Sequence, residues 1–198
     1  MEQVSMNLII YDTEICHGVL TEENQPQTGY RYAKGWHDYT GMGIATICAF
    51  DIAEARYRVF LEDNFSDFME LVAQRDGVLG FNNWRFDDKL LRENGFSLPR
   101  EKSHDLADAI WSAAGIPQGE HPRGLSLNAC CKAHGLPTKS GNGADAPQDF
   151  QDGRIGRVID YCLNDVRCTL NLYRYIERAG GCIDARDGTS WLNVRVAK

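Results

Sequence analysis

The longest regular pattern in the chain is the stretch Ile155–Ala179, in which apolar residues recur at helical spacing. Two adjacent glycines, Gly180 and Gly181, follow it and are typical of a helix end. The apolar stripe consists of Ile155, Val158, Ile159, Cys162, Val166, Leu170 and Tyr173. Counted at about 100° per residue, Tyr161 and Asp165 fall on the flank of this stripe. The pattern therefore predicts one long helix that presents a tyrosine and a carboxylate on the same face, at the edge of the core.

A second pattern, near the N-terminus, predicts a buried strand. Residues 7–11 form a short, apolar, β-prone run of the kind found in central strands that are covered on both faces. Asp12 and Glu14 follow, and alternation places both on the same side as Leu8 and Ile10. Ligands in open α/β sheets collect at the carboxyl ends of strands. We therefore expect two carboxylates to emerge together at or just past the end of this strand.

The rest of the chain alternates between strand and helix patterns. In order, they predict an antiparallel strand pair over 43–50 and 56–61, a helix from about 64 to 74, a strand over 78–81, helices over 106–114 and 126–134, and a C-terminal hairpin. A helix beginning near Arg85 would hold Asp87 in its first turn, where the helix dipole favours a carboxylate. Residues 15–42 and 139–147 have no clear period and are predicted to be loops. Trp36 in the first loop would either stack on bases or pin the loop to the body.

Composition narrows the class of protein. A chain of 198 residues with 43% hydrophobic and 25% charged residues fits one globular domain, predicted over 1–180, with a hairpin appendage over 181–198. The net charge of -7 argues against a surface that coats nucleic acid, but not against a nuclease whose acidic site is neutralised by metals. Seven cysteines without a Cys-x-x-Cys pair fit buried, reduced thiols. Without a signal peptide or an apolar run of about 20 residues, we expect a soluble, cytoplasmic protein that does not contact membranes.

Three motifs occur in a fixed order along the chain. They are Asp-x-Glu ending at Glu14, Gly-Phe-Asn-x-x-x-Phe-Asp ending at Asp87, and Tyr-x-x-x-Asp ending at Asp165. In this order they resemble the exonuclease motifs of the DEDD superfamily, tyrosine subtype, and the middle motif looks most like the proofreading domain of family B DNA polymerases. The segment 125–136 is similar to the helix that such exonucleases place between their second and third motifs. The histidine subtype would need histidine where Asp160 stands.

The resemblance implies a fold and an activity. The fold would be a ribonuclease H-like, three-layer α/β fold with a mixed central sheet whose first three strands are antiparallel, followed by a C-terminal β-hairpin. The activity would be metal-dependent 3′–5′ exonuclease cleavage of single-stranded DNA, releasing nucleoside 5′-monophosphates. Two alternatives stay open: RNA 3′ ends as the substrate, since the same superfamily handles both, or a nucleic-acid-binding module without turnover. Because no polymerase segment follows in this sequence, the exonuclease would stand alone or join a replication or repair protein.

The resemblance also implies roles for individual residues. Two divalent metal ions, magnesium or manganese, would be held by Asp12, Glu14, Asp87 and Asp165, with Asp12 bridging them. Tyr161 would orient the attacking water, because a phenol with a pKa of about 10 is a poor base at neutral pH. Either Asn82 or Asn83 would contact the 3′-terminal nucleotide. Phe86 and Lys139 complete the predicted substrate-binding residues.

Overall fold

The computed structural model describes residues 6–20, 26–139 and 143–196. The strands are β1 (Leu8–Ile15), β2 (Gly18–Val19), β3 (Tyr32–Ala33), β4 (Ile44–Asp51), β5 (Arg56–Phe60), β6 (Gly77–Gly80), β7 (Ser103–Asp105), β8 (Cys182–Ile183) and β9 (Trp191–Leu192). The α-helices are α1 (Tyr39–Met42), α2 (Phe65–Ala73), α3 (Asp87–Glu93), α4 (Leu106–Ala113), α5 (Leu127–Ala133), α6 (Ala146–Gln151) and α7 (Ile155–Ala179). Within the described residues, no helix is both long and apolar enough to span a membrane.

A mixed five-stranded sheet in the order β5-β4-β1-β6-β7 forms the central layer. β1, β4 and β5 are antiparallel, as predicted, whereas β6 and β7 add parallel strands on the other side of β1. Leu8 and Ile10 face a core that includes Cys162 and Val166 of α7. Ile9 and Tyr11 face the opposite core, which α2 and α3 cover. This three-layer arrangement confirms the predicted ribonuclease H-like α/β fold.

β1 is longer than the sequence indicates, and its pairing changes along its length. The parallel pairing with β6 ends at Ile10 opposite Leu79. The antiparallel pairing with β4 continues past Asp12 to Glu14, which lies opposite Thr46. The two carboxylates therefore lie inside the strand and not past its end, but beyond the point where β6 stops. The missing neighbour on one side leaves room for side chains from other elements.

α7 has the bounds that its apolar spacing predicts. Gly180 takes a left-handed conformation with φ of 75°, which a residue with a side chain rarely adopts, and so ends the helix. Other bounds differ from the predicted ones. α3 begins at Asp87 instead of Arg85, although Asp87 does lie in its first turn. β7 and α6 were not predicted, since Ser-His-Asp is too short and polar for a strand pattern and α6 directly follows a glycine-rich segment. Residues 140–142 of that segment lie outside the described residues.

The predicted loop over 15–42 contains short regular pieces. β2 and β3 pair in parallel, and α1 is capped by the Asp38 carboxylate, which accepts from the backbone N–H of Gly41 at 3.0 Å. At the other end of the chain, β8 and β9 form the predicted antiparallel hairpin. Its residues Cys182 and Leu192 are buried in the same core as α7. The division of the chain into two units at residue 180 stays a prediction.

Candidate active site

Four carboxylates from three elements meet where β1 lacks its β6 neighbour. β1 supplies Asp12 and Glu14, α3 supplies Asp87, and α7 supplies Asp165. Burial, followed by the charges of Asp87, Asp165 and Glu14, raises the pKa of Asp12 well above its ordinary value. Burial and the charges of Asp165 and Asp87 do the same to Glu14. The structure thus brings all four predicted metal-binding residues close enough to repel one another.

Asp87 is oriented by the strand that carries the other two carboxylates. Its Oδ1 accepts hydrogen bonds from the Thr13 backbone N–H at 3.1 Å and from Thr13 Oγ1 at 2.5 Å. Burial raises the pKa of Asp87 to about 7, although the bonds from Thr13 act against the rise. The neighbouring Asp88 has a different role, since it accepts hydrogen bonds from Tyr11, Asn83 and Ser103. Only Asp87 of this adjacent pair is directed to the carboxylate cluster.

Asp165 has one hydrogen-bonded and one unpartnered carboxylate oxygen among the described residues. Its Oδ2 accepts a hydrogen bond from Lys139 Nζ. Its Oδ1 is buried and has no hydrogen-bond partner among the residues that the structure describes. Burial lowers the pKa of Lys139, but the negative charges of Asp12 and Asp165 have the larger effect. The pKa of Lys139 is therefore above its ordinary value. A buried carboxylate oxygen without a partner is costly, so this atom indicates a place where a cation would bind.

Tyr161 lies beside Asp165 on the same helix face and is half-buried. The Lys139 ammonium lies 5.7 Å from the centre of the Tyr161 ring. Burial is the main cause that raises the pKa of Tyr161 to about 12. The nearby carboxylates also raise this pKa, whereas Lys139 lowers it. Its hydroxyl is therefore protonated at neutral pH. Asp160, at the position that distinguishes the histidine subtype, is exposed to solvent and away from the cluster.

The two candidate asparagines differ sharply in their surroundings. Asn83 is fully buried, and its Nδ2 donates to Asp88 at 3.1 Å and to Ser103 at 3.0 Å. Asn82 is half-buried in a left-handed conformation with φ of 69°. It lines a cavity of about 650 Å³ together with Lys139, which we call the Asn82 cavity. Of the two, Asn82 is placed where a nucleotide could reach it.

Comparisons with known proteins identify the family and the fold of the chain. Residues 93–194, which are more than half of the chain, match a family described as a predicted 3′–5′ exonuclease related to the exonuclease domain of PolB. The chain belongs to this exonuclease family. The matched segment contains Lys139, Tyr161 and Asp165, whereas the first two motifs lie before it. A search of curated proteins gave no significant match.

A solved structure extends the similarity to nearly the whole chain. The family B DNA polymerase from the hyperthermophilic archaeon Pyrobaculum calidifontis aligns with a TM-score of 0.58 over 94% of this chain, at 14% sequence identity. At that identity the likeness concerns the fold alone. This exonuclease-family chain spans only 27% of the polymerase. Together with the family match, the likeness confirms the resemblance to the PolB exonuclease domain.

The donor set of the site fits divalent metals of the kind that exonucleases use. Asp12, Glu14 and Cys162 each place a ligand atom within 4.8 Å of the others. The Cys162 thiol, however, donates to the Asp12 backbone oxygen at 3.4 Å and to its Oδ2 at 3.5 Å. Burial raises the pKa of Cys162 well above its ordinary value, so this sulfur stays protonated and is a poor ligand. The carboxylate oxygens that remain are the hard ligands that magnesium and manganese prefer.

Two residues that position the site were not predicted from the sequence. Thr13 fixes Asp87, and Cys162 contacts Asp12. Thr13 stands between the two carboxylates of the first motif, and alternation alone directs its side chain to the opposite face of the strand. Cys162 was assigned only to the core stripe of α7. No local pattern marks either contact, because each joins residues that are far apart in the chain.

Proposed function

We propose that this protein is a 3′–5′ exonuclease that hydrolyses the terminal phosphodiester bond of single-stranded DNA and releases nucleoside 5′-monophosphates, with two magnesium or manganese ions. The observation that carries the proposal is the convergence of Asp12, Glu14, Asp87 and Asp165 from three elements, with Oδ1 of Asp165 buried and unpartnered among the described residues. Family membership supports the same general activity.

The carboxylates explain why metal ions are needed. A polyanionic strand would be repelled by four clustered carboxylates unless cations lay between them. Held by these side chains, two divalent ions would neutralise the phosphate, activate a water and stabilise the leaving 3′ oxygen. A binding module without metals would gain nothing from such a cluster. This argument favours an enzyme over a module that only binds nucleic acid.

Tyr161 and Lys139 have roles that follow from their protonation. A hydroxyl with a pKa of about 12 keeps its proton at neutral pH, so Tyr161 orients the attacking water and does not deprotonate it. Lys139 stays charged because the adjacent carboxylates raise its pKa. Its side chain lines the Asn82 cavity, where the ammonium would contact a phosphate oxygen of the bound strand.

The test of the proposal is a nuclease assay on matched substrates. DNA and RNA oligonucleotides of one sequence, labelled at the 5′ end, would be incubated with manganese, with magnesium or with EDTA. We expect a ladder of shortened DNA and release of nucleoside 5′-monophosphates with either metal, and neither product in EDTA. A 3′-terminal inverted nucleotide should block the reaction, whereas a 5′ block should not.

Other results would contradict the enzyme activity, the substrate or the polarity of cleavage. No nucleotide release from DNA or RNA would refute the enzyme and leave the non-catalytic module. Degradation of RNA alone would show that the substrate is wrong. Degradation of 3′-blocked DNA would show that the polarity is wrong. A replication or repair protein as partner stays a prediction, and copurification from cells with a tagged chain would test it.

A further inference from the structure

Asp105 is a buried carboxylate that lies outside the cluster of the candidate active site. It is the last residue of β7 and the N-terminal cap of α4, and it is 3% exposed. Its Oδ1 accepts hydrogen bonds from the backbone N–H groups of Ala107 and Asp108 at 2.9 and 3.2 Å. These two bonds satisfy the first turn of α4, which is the ordinary role of an aspartate at this position.

The same carboxylate also holds the turn 82–84, which leads from β6 towards α3. Oδ1 accepts a third bond from the Asn82 backbone N–H at 2.8 Å, and Oδ2 accepts from the Trp84 backbone N–H at 3.1 Å. Capping α4 requires neither bond, because the two donors lie 23 and 21 residues before Asp105 in the chain. Burial raises the pKa of Asp105 above its ordinary value, and all four N–H groups act against this rise. The buried carboxylate is therefore stabilised by the turn as well as by the helix.

The turn holds Asn82 in a backbone conformation that residues with side chains seldom adopt. Its φ is 69°, in the left-handed region, where asparagine is tolerated better than most residues. The Oδ1 atom of Asn82 is buried and has no hydrogen-bond partner among the residues that the structure describes. The direction of this side chain is therefore set by the backbone of the turn.

We propose that Asp105 is a positioning residue for the reaction, whose carboxylate fixes the turn 82–84 so that Asn82 is presented to the 3′-terminal nucleotide. The inference rests on the proposed exonuclease function and adds a residue on which substrate recognition depends. Other contacts of the turn act on a side chain instead. The Trp84 indole Nε1 donates to the Ser103 carbonyl and hydroxyl, both at 3.1 Å, and the Arg100 guanidinium lies 3.5 Å from the ring centre. They anchor the indole and leave the Asn82 N–H to Asp105.

The metal-binding carboxylate next to the turn has its own support. The turn leads through Phe86, the N-terminal cap of α3, to Asp87. Asp87 is fixed separately by its two hydrogen bonds from Thr13 of β1. Loss of the Asp105 bonds should therefore displace Asn82 without removing a metal ligand.

The test replaces Asp105 by residues that keep different parts of its bonding. Serine still caps α4, but its single oxygen lies nearer to the backbone and cannot serve both N–H groups of the turn. Asparagine keeps the size and one acceptor but loses the bond from Trp84. For the first cleavage of a DNA strand in manganese, we expect kcat/KM to fall about 10- to 100-fold in Asp105→Ser and by less than about 10-fold in Asp105→Asn. Asp187→Ser is the matched control and should leave kcat/KM unchanged, because Asp187 holds the N–H groups of Thr189 and Ser190 in the C-terminal hairpin.

A double-mutant cycle with Asn82→Ala separates positioning from a general loss of structure. Asn82→Ala should itself lower kcat/KM. In that background Asp105→Ser should lower kcat/KM by no more than about twofold further, because the side chain that it positions is gone. A purely structural effect would lower kcat/KM by the same factor in both backgrounds. Manganese should raise the unfolding midpoint of Asp105→Ser as much as that of the wild type.

Unchanged kcat/KM in Asp105→Ser, equal factors in the two backgrounds, or loss of the stabilisation by manganese would each overturn the inference. Thermal unfolding would verify that each variant is folded at the assay temperature, and Asp105→Asn takes the place of Asp105→Ser in the cycle if the serine variant is not. If the wild type cleaves no strand, the proposed function fails. The cycle is then measured on the dissociation constant of a DNA strand with a free 3′ end, by anisotropy with calcium. Additive effects in that cycle, or no binding by the wild type, would overturn the inference as well.

Discussion

Two groups of buried carboxylates in this protein, the pair Asp51 and Asp184 and the cluster of the candidate active site, have opposite surroundings. Asp51 is fully buried, and its two oxygens accept hydrogen bonds from Arg75 at 3.0 and 2.7 Å. Those bonds, working against burial, lower the pKa of Asp51 below its ordinary value. Asp184 is paired with Arg186 in the same way, and its pKa is also lowered. In the candidate active site the pKa values of the buried carboxylates are raised instead.

The difference lies in the cations that each region receives from the chain. Asp51 and Asp184 each have an arginine with two-point hydrogen bonding, which is strong and directional. Among the described residues, one lysine, Lys139, is bonded to the cluster of four carboxylates. The chain therefore neutralises Asp51 and Asp184 with arginines and leaves the four carboxylates of the candidate active site under-neutralised. Such perturbed groups in a cleft are typical of functional sites, and the comparison predicts that substitutions in the two regions will have opposite effects.

The largest effect should follow from Asp12→Asn in the active-site cluster. Nucleotide release should fall about a thousandfold or more, since the residue faces three other carboxylates at the proposed metal site. The free energy of unfolding in EDTA should stay the same or rise, because mutual repulsion is relieved. Asp160→Asn, an exposed aspartate of α7, is the matched control and should change neither quantity. An active Asp12→Asn enzyme would refute the assignment of the cluster.

Asp51→Asn should produce the opposite result. Asp51→Asn removes the buried carboxylate that accepts two hydrogen bonds from Arg75 and leaves the guanidinium its weaker contact with Glu54 at 3.2 Å, so we expect the free energy of unfolding to fall by about 3 kcal/mol. Urea unfolding monitored by circular dichroism would measure the loss. Below the unfolding transition, nuclease activity per folded molecule should be unchanged. If activity is lost while the fold is retained, the contrast between Asp51 and the carboxylates of the candidate active site is wrong.

Metal binding provides a comparison that does not depend on activity. In manganese at about 100 times the dissociation constant, the wild-type free energy of unfolding should rise by about 2.7 kcal/mol. Asp51→Asn should gain the same increment, because its site does not contribute to the cluster. Asp12→Asn should gain much less, and EDTA should reverse each gain. Equal stabilisation of all three proteins would place the metal elsewhere.

The contrast between the two regions also separates what sequence can predict from what it cannot. The extent of α7 and the common face of Asp12 and Glu14 follow from local periodicity, which is visible along a few turns or residues. Which asparagine could contact a nucleotide depends on the hydrogen bond that Asn83 donates to Ser103, twenty residues away. Local sequence does not show this bond. Adjacent residues of one motif can face different surroundings, as Asp87 and Asp88 do.

The remaining unpredicted features of the structure are contacts between residues that are far apart in the chain. The bond from Lys139 to Asp165 joins a loop to a helix, and Lys139 was expected only to contact substrate. The Gln151 side chain accepts a hydrogen bond from the backbone N–H of Arg31, which lies 120 positions earlier in the chain. Such contacts are set by the packing of the whole domain, and no spacing in the sequence encodes them. The acidic motifs were found because each lies beside a local strand or helix pattern, and because their order along the chain resembles that of a known family.

Tyr161→Phe should have a moderate effect within the active-site region. The ring and its packing are kept, and only the hydroxyl that would orient the water is removed. We expect kcat to fall about 10- to 50-fold, with metal-induced stabilisation unchanged. Because the pKa of Tyr161 is about 12, the wild-type rate should show no ionisation of a tyrosine below pH 9. A group titrating between pH 7 and 9 in the wild type, and absent in Tyr161→Phe, would instead show that the tyrosine acts as a base.

The smallest effect concerns the stability of the metal-free protein as the pH changes. The pKa of Asp87 is about 7 in the folded state against an ordinary value of 3.8, so between these values the folded protein binds a proton that the unfolded chain has lost. In EDTA, lowering the pH from 8 to 6 should therefore stabilise the wild type relative to Asp87→Asn by about 1.4 kcal/mol, or about 3–5 °C in the unfolding midpoint. Asp51, whose pKa is lowered, should instead cost stability only near pH 4 and below. Taking the difference between the wild type and Asp87→Asn cancels the titration of the histidines. If the two unfolding midpoints stay parallel from pH 8 to 6, Asp87 is neutralised within the chain in the way that Asp51 is, and the contrast between the two regions does not extend to it.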